Sequence, residues 1–124
     1  MIIWQQKVKD FHEKYNCPVE TKPTLISEKD RLRRARLIVS ESAEFVEEAD
    51  KNNLVGMCDA LCDIIFVCLG TAVEMGVDLE PLFDEVCRSN MTKTPRKDAG
   101  GKILKGDDFV EPNLEQHIVA QGWK

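Results

Sequence analysis

Apolar residues recur at helical spacing along most of the first 92 residues of the sequence. Between Ile3 and Tyr15 the apolar side chains stand three or four positions apart, which is the spacing of one helix face. Helical stretches also run from Ser27 to about Ala49, from about Leu54 to Gly76, and from Asp78 to the residues before Pro95. The pattern therefore predicts four helices.

Residues with a known capping preference stand where these helices begin and end. Ser27 is an N-cap candidate, and Asp30 three residues later forms a weaker version of the capping box. Gly76 is a predicted stop for the third helix, because glycine adopts the left-handed backbone that ends many helices. Asp78 is the predicted cap of the fourth helix. These residues make the predicted boundaries specific.

The last quarter of the chain differs from the rest. Lys97 to Gly101 is rich in turn residues, Ile103 to Val110 favours a short hairpin or an extended arm, and Leu114 to Val119 adds a last turn of helix. The sequence thus predicts an all-α fold, a four-helix core with an irregular C-terminal arm, in a single domain that spans residues 1–124.

The third predicted helix is unusual in its composition. From Leu54 to Val73 every residue is apolar or small except Asp59 and Asp63. A helix that is apolar on nearly all sides is expected to be buried. Carboxylates are rarely buried unless they are paired or bind a metal, because removing the charge from water is costly. A cation is therefore expected beside the two aspartates.

The second predicted helix carries acids of its own. At about 100° per residue, Glu41, Glu44 and Glu48 fall within an arc of roughly 60°. An antiparallel pairing across an Asn52-Asn53 turn would place this arc opposite the aspartates. Acids alone would repel, and oxygen ligands select hard ions, so Mg²⁺ is the first candidate and Mn²⁺ a possible substitute. The predicted ligands are Glu41, Glu44, Glu48, Asp59 and Asp63.

Two alternatives for these acids remain open at this stage. The glutamates alone fit a solvated helix face. The aspartates alone fit buried ion pairs with arginines of the RLRRAR segment, in which Arg33 and Arg34 lie two turns before the glutamates on the same side. The arginines themselves are most often exposed, and their functional role would be to neutralise an anionic substrate at the rim of the site.

Charge and cysteine content exclude several classes of function. The net charge is −5, which argues against a nucleic-acid partner. Two aspartates within a lone membrane span are expensive, so no membrane partner is expected either. The five cysteines form no CxxC or Cys/His pattern, and the N-terminal residues lack the apolar core of a signal peptide. A cytoplasmic location is the expectation.

Taken together, the motifs resemble those of the all-α nucleotide pyrophosphohydrolase superfamily, the MazG-like and phosphoribosyl-ATP pyrophosphohydrolase-like proteins. The family signature is an E-x-x-E helix followed by a helix with E-x-x-D. Glu41 and Glu44 match the first half and Asp63 matches the last aspartate. Ala60 stands where the broader family has glutamate, and Asp59, on nearly the same helix face, is the natural substitute.

Two further segments carry the resemblance. EVCRSNMTK is similar to a family element in which an asparagine and a lysine contact phosphates, here Asn90 and Lys93. GKILKGDDFVEPNL is similar to the ending of one bacterial and phage branch. The resemblance covers most of residues 5–115.

The resemblance implies an enzyme of known type. It implies Mg²⁺-dependent hydrolysis of a nucleoside triphosphate, or a related nucleotide, to monophosphate and pyrophosphate, by a homodimer or homotetramer. Glu41, Glu44 and Asp63 would be catalytic, with Asn90, Lys93 and Arg34 on the substrate. One alternative is a non-catalytic helical interaction protein that keeps a structural divalent-metal site. Another is a non-enzymatic bundle with Arg–Asp pairs in its core.

Overall fold

The computed structural model describes all 124 residues and is built from α-helices. The helices are α1 (Ile3–Lys14), α2 (Glu28–Asp50), α3 (Leu54–Met75), α4 (Leu79–Asn90) and the short α5 (Glu115–Val119). The only β-type pairing is an isolated antiparallel bridge in the C-terminal arm. The prediction of an all-α fold with four main helices and a C-terminal arm is confirmed.

The predicted capping residues act at the helix ends. The Ser27 hydroxyl accepts a hydrogen bond from the Asp30 amide at 3.2 Å, and an Asp78 carboxylate oxygen accepts one from the Glu80 amide at 3.1 Å. Gly76 ends α3 with a left-handed backbone at φ 68°. A Cβ atom at Gly76 would lie only 2.2 Å from the Lys22 carbonyl oxygen. Both the backbone conformation and the space around it therefore require glycine.

Helices α2 and α3 form an antiparallel hairpin, as predicted, and make the most extensive helix contact of the chain. Only residues 51–53 connect them. Asn52 makes the turn possible by adopting a left-handed backbone at φ 54°. Asn53 then caps α3 by accepting a hydrogen bond from the Gly56 amide at 3.2 Å. This hairpin positions all the acids of the predicted site.

The second half of α3 forms the apolar core with α1. Val8 of α1 packs against Leu69 and Val73, and Val19 and Leu79 cover the cluster from outside. The first half of α3 is different, because the twelve-residue α1 does not cover it and α2 shields only one side. The expected burial of the whole segment is therefore wrong for its first half, where Val55 is 79% exposed.

By length and composition alone α3 could also cross a membrane, with a mean hydropathy of 1.9 over the most apolar window. In this structure it lies against α2 and α1, and its Glu74 carboxylate accepts a hydrogen bond from Arg34 of α2. All five cysteines, three of which are on this helix, are free.

The C-terminal arm contains a small hairpin that pairs Lys97 with Ile103. It lies earlier in the chain than the expected Ile103–Val110 segment, because Asp98 organises the turn by accepting hydrogen bonds from the amides of Gly100 and Lys102, both at 2.9 Å. The returning segment is tied to α4 by the Ser89 hydroxyl, which donates to the Val110 carbonyl at 2.7 Å.

Candidate functional site

Three of the predicted acids meet between α2 and α3. Glu41 and Glu44 lie one turn apart on α2, and Asp63 lies on the facing turn of α3. One carboxylate oxygen from each of the three residues lies within 4.8 Å of the other two. Three oxygens this close on two packed helices form a candidate metal centre.

Glu41 is the most constrained member of this centre. Its Oε2 atom is buried and has no hydrogen-bond partner. Burial raises the pKa of the Glu41 carboxyl above its ordinary value, and the negative charges of Glu44, Asp63 and Asp59 raise that pKa further. Buried polar atoms in folded proteins are nearly always bonded, so an orphaned carboxylate oxygen needs an explanation. A bound cation would supply the missing partner.

A polar cavity of about 270 Å³ lies beside Glu44, the one acid of the three that lines it. Its walls carry the other two predicted ligands, the exposed Asp59 and the half-buried Glu48. Glu47, which is not one of the predicted ligands, also lines the cavity. Glu48 is already engaged, because it accepts a hydrogen bond from the Asn53 side chain at 2.9 Å and pairs with Lys51 at 3.6 Å. The lining residues are Glu44, Glu47, Glu48, Gly56, Asp59 and Ala60.

The donor set suits a small hard cation. Oxygens that bind one Mg²⁺ at about 2.1 Å lie within about 4.2 Å of one another, which small side-chain rotations would achieve here. All donors are carboxylates, and no histidine or cysteine belongs to the group. Carboxylate oxygens favour magnesium or manganese over zinc or copper. The residues present therefore fit the predicted ion.

No arginine or lysine pairs with Asp59 or Asp63, so the ion-pair alternative does not describe these aspartates. Arg34 is buried and bonds Glu74 of α3 at 2.9 Å instead of facing a substrate at the rim of the acids. This placement corrects the expected one. Glu74 is the only acid in the second half of α3, and its position opposite the RLRRAR segment was the signal that sequence reasoning missed.

Asn90 and Lys93 lie together at the C-terminal end of α4, where the Lys93 amide donates to the Asn90 carbonyl at 3.2 Å. Neither side chain lines the acid cavity of its own chain, and Lys93 makes no ion pair. Asn90 is the last residue of α4, and Lys93 lies three residues beyond the end of the helix. Their role toward a substrate stays a prediction.

A comparison with protein-family models finds a match over most of the helical part of the chain. The model described as phosphoribosyl-ATP pyrophosphohydrolase matches residues 8–90. A search among curated proteins gives no match. The matched residues include all five candidate ligands and Asn90, and they end before Lys93 and the C-terminal arm.

Proposed function

The chain belongs to the phosphoribosyl-ATP pyrophosphohydrolase family, which makes it a hydrolase of phosphoanhydride bonds in nucleotides, and we propose that its reaction depends on Mg²⁺. The proposed substrate is a nucleoside triphosphate or a related nucleotide, and phosphoribosyl-ATP, which the family description names, is included among the related nucleotides. Water is added across the bond between the α- and β-phosphates, and the products are a monophosphate and pyrophosphate.

The observation that carries this proposal is the convergence of Glu41, Glu44 and Asp63 around the unpartnered Glu41 oxygen. These three carboxylates, with Asp59 on the cavity wall, would hold the ion. A magnesium ion there would bind phosphate oxygens, neutralise their charge and orient the attacking water. Stiff helices suit this task, because phosphoryl transfer requires positioned charge more than a covalent nucleophile.

The deciding experiment is a screen of pyrophosphate release. Purified protein is incubated with common nucleoside triphosphates, damaged nucleotides and phosphoribosyl-ATP, with Mg²⁺ or with chelator. We expect Mg²⁺-dependent release from a subset of them, and phosphorus NMR should show pyrophosphate. Orthophosphate as the sole released product would mean that a different bond is cleaved. Magnesium-dependent stabilisation with no release from any nucleotide would favour the structural metal site instead.

Asn90 and Lys93 are proposed to contact the phosphates rather than the ion. The Lys93 side chain is half-buried and forms no ion pair within the chain. We expect Lys93→Ala to raise KM for the nucleotide, while Mn²⁺ affinity of the nucleotide-free protein stays at the parental value. Lys97→Ala, in the hairpin beyond the helix end, is the matched control. Loss of Mn²⁺ binding in Lys93→Ala would overturn this assignment.

We further propose that the active form is a homodimer or a homotetramer. The support is a set of exposed apolar side chains on α3, which includes Leu54, Val55, Leu61 and Ile65. Exposed apolar surfaces of this extent are typical of protein–protein contacts. Sedimentation equilibrium tests the proposal, and Leu61→Glu should shift the protein toward the monomer. A parent protein that is monomeric at every concentration would contradict it.

A further inference from the structure

A second group of charged residues joins α2 to α3, away from the acids. Glu74 is only 1% exposed, and its carboxylate accepts hydrogen bonds from the side chains of Arg33 and Arg34. We call these three residues the arginine–glutamate clamp. Unlike the metal-centre acids, every charge in it has a partner.

Arg34 fixes the position of α3 more tightly than a single ion pair would. Its Nη2 atom donates to the Val67 carbonyl at 2.7 Å, and its Nε atom donates to the Thr71 hydroxyl at 3.0 Å. With the bond to Glu74, one planar guanidinium thus contacts three points spread over about two turns of α3. Rotation or sliding of α3 along α2 would break at least one of these bonds.

Gly70 leaves just enough room for this arrangement. A Cβ atom on Gly70 would lie 2.6 Å from Arg34 Nη2 and 3.0 Å from His12 Nε2. His12 is itself held, because it is 3% exposed and its Nδ1 atom bonds the Pro18 carbonyl at 2.9 Å. The guanidinium is therefore confined on the side of α3 as well as bonded to it.

The clamp and the metal centre depend on the same helix register. Arg34 and Glu41 are seven residues apart, and Asp63 and Glu74 are eleven apart, so at about 100° per residue each pair lies within about 20° on one helix face. One antiparallel alignment brings both sets together. A shift of α3 by one residue would move it about 1.5 Å and turn it by about 100°, which would remove Asp63 from the glutamates.

We propose that Arg34, Glu74 and Gly70 are positioning residues for the metal ligands, because they fix the register that places Glu41 and Asp63 together. The inference rests on the proposed function, which assigns those acids to the ion. None of the three positioning residues belongs to the acid group of Glu41, Glu44 and Asp63. They hold the two helices in place against the mutual repulsion of the acids.

The test measures Mn²⁺ affinity of the nucleotide-free protein by titration calorimetry. Gly70→Ala changes no charge and improves helix propensity, but its methyl group displaces Arg34. Arg34→Lys keeps the charge opposite Glu74 and loses the bonds to Thr71 and Val67. We expect each variant to weaken Mn²⁺ binding by about tenfold or more, as supporting residues around metal sites commonly do. The control is Val8→Ala, which damages the core between α1 and α3 but leaves the α2–α3 interface intact.

The outcomes separate this inference from the proposed function. A parent protein that binds no Mn²⁺ overturns the proposed function. Parental binding that is unchanged in both Gly70→Ala and Arg34→Lys overturns the positioning role alone. If Val8→Ala weakens Mn²⁺ binding as much as the other two, loss of stability is sufficient to explain the effect and the positioning role is also overturned. Rescue supports the inference if Mn²⁺ affinity in Arg34→Lys exceeds that in Arg34→Ala.

Discussion

The α2–α3 hairpin contains two charged regions that solve the problem of burial in opposite ways. In the arginine–glutamate clamp, the buried Glu74 carboxylate accepts hydrogen bonds from Arg33 and Arg34. Arg34 also donates hydrogen bonds to the Val67 carbonyl and the Thr71 hydroxyl. In the candidate metal centre, three carboxylates converge with no arginine or lysine side chain among them, and Glu41 Oε2 has no hydrogen-bond partner. The same pair of helices holds both.

The difference shows how a structural charge can be told from a functional one. A buried ion pair whose hydrogen bonds are all made is accounted for by its role in the fold, because removing one partner would leave the other charge buried and unpaired. An acid cluster with an orphaned oxygen is unfavourable for the fold alone, and such unfavourable arrangements are typical of binding sites. Replacing one carboxylate by an amide in each region should therefore have opposite consequences.

The largest effect is expected from Asp63→Asn. Without Mg²⁺ the free energy of unfolding of the variant should equal that of the parent or exceed it by about 1 kcal/mol. The reason is that the change relieves repulsion between acids in a poorly solvated space. It should also lose the extra stability that Mg²⁺ gives, and pyrophosphate release should fall by orders of magnitude. Thermal melts in chelator and in excess Mg²⁺, with the release assay, check this. A large loss of stability in chelator would contradict the ligand role.

Glu74→Gln is the matching change in the clamp. It keeps the shape of the side chain and strands the Arg34 charge, which is almost fully buried. We expect a loss of about 3–5 kcal/mol in the free energy of unfolding, equal in chelator and in Mg²⁺. Urea titrations measure it, with the exposed Glu13→Gln as the control. A gain of stability, or a loss that added Mg²⁺ reverses, would contradict the conclusion that Glu74 has a structural role independent of the ion.

The smallest effect concerns pH. The pKa of Glu41 is raised in the folded protein, so its contribution to stability is fully present below the ordinary glutamate value of 4.5 and is lost as the pH rises through the raised pKa. In chelator, the melting temperature of the parent should therefore fall relative to that of Glu41→Gln as the pH increases over this range. A difference in melting temperature that stays constant with pH, or that changes in the opposite direction, would show that the pKa of Glu41 is not raised in the folded protein.

Much of this arrangement could be predicted from the sequence, because its causes are local. Ser27, Gly76 and Asp78 set helix ends through bonds to neighbours a few residues away. The helical spacing of Glu41 and Glu44, with a short turn at Asn52-Asn53, was enough to predict that they face Asp63. The register of the hairpin follows from the same turn.

The partner of Arg34 could not be chosen by periodicity. Asp63 and Glu74 lie on nearly the same face of α3, so an arginine on the facing side of α2 could pair with either acid. Only the register of the two helices decides between them.

The exposure of the first half of α3 was missed for a related reason. An apolar composition predicts that a helix surface is buried, but it does not show whether the surface packs against the same chain or against another molecule.

The short turn at Asn52 has a consequence for how fast the chain folds. Glu44 and Asp63 are brought together by closing a small loop, whereas Arg34 and Glu74 are 40 residues apart. Contacts close in sequence form first, because closing a longer loop costs more entropy. A refolding chain therefore brings its acids together before the clamp can hold them. If the acids bind Mg²⁺ as proposed, the ion should relieve their repulsion at this stage and speed refolding in stopped-flow measurements.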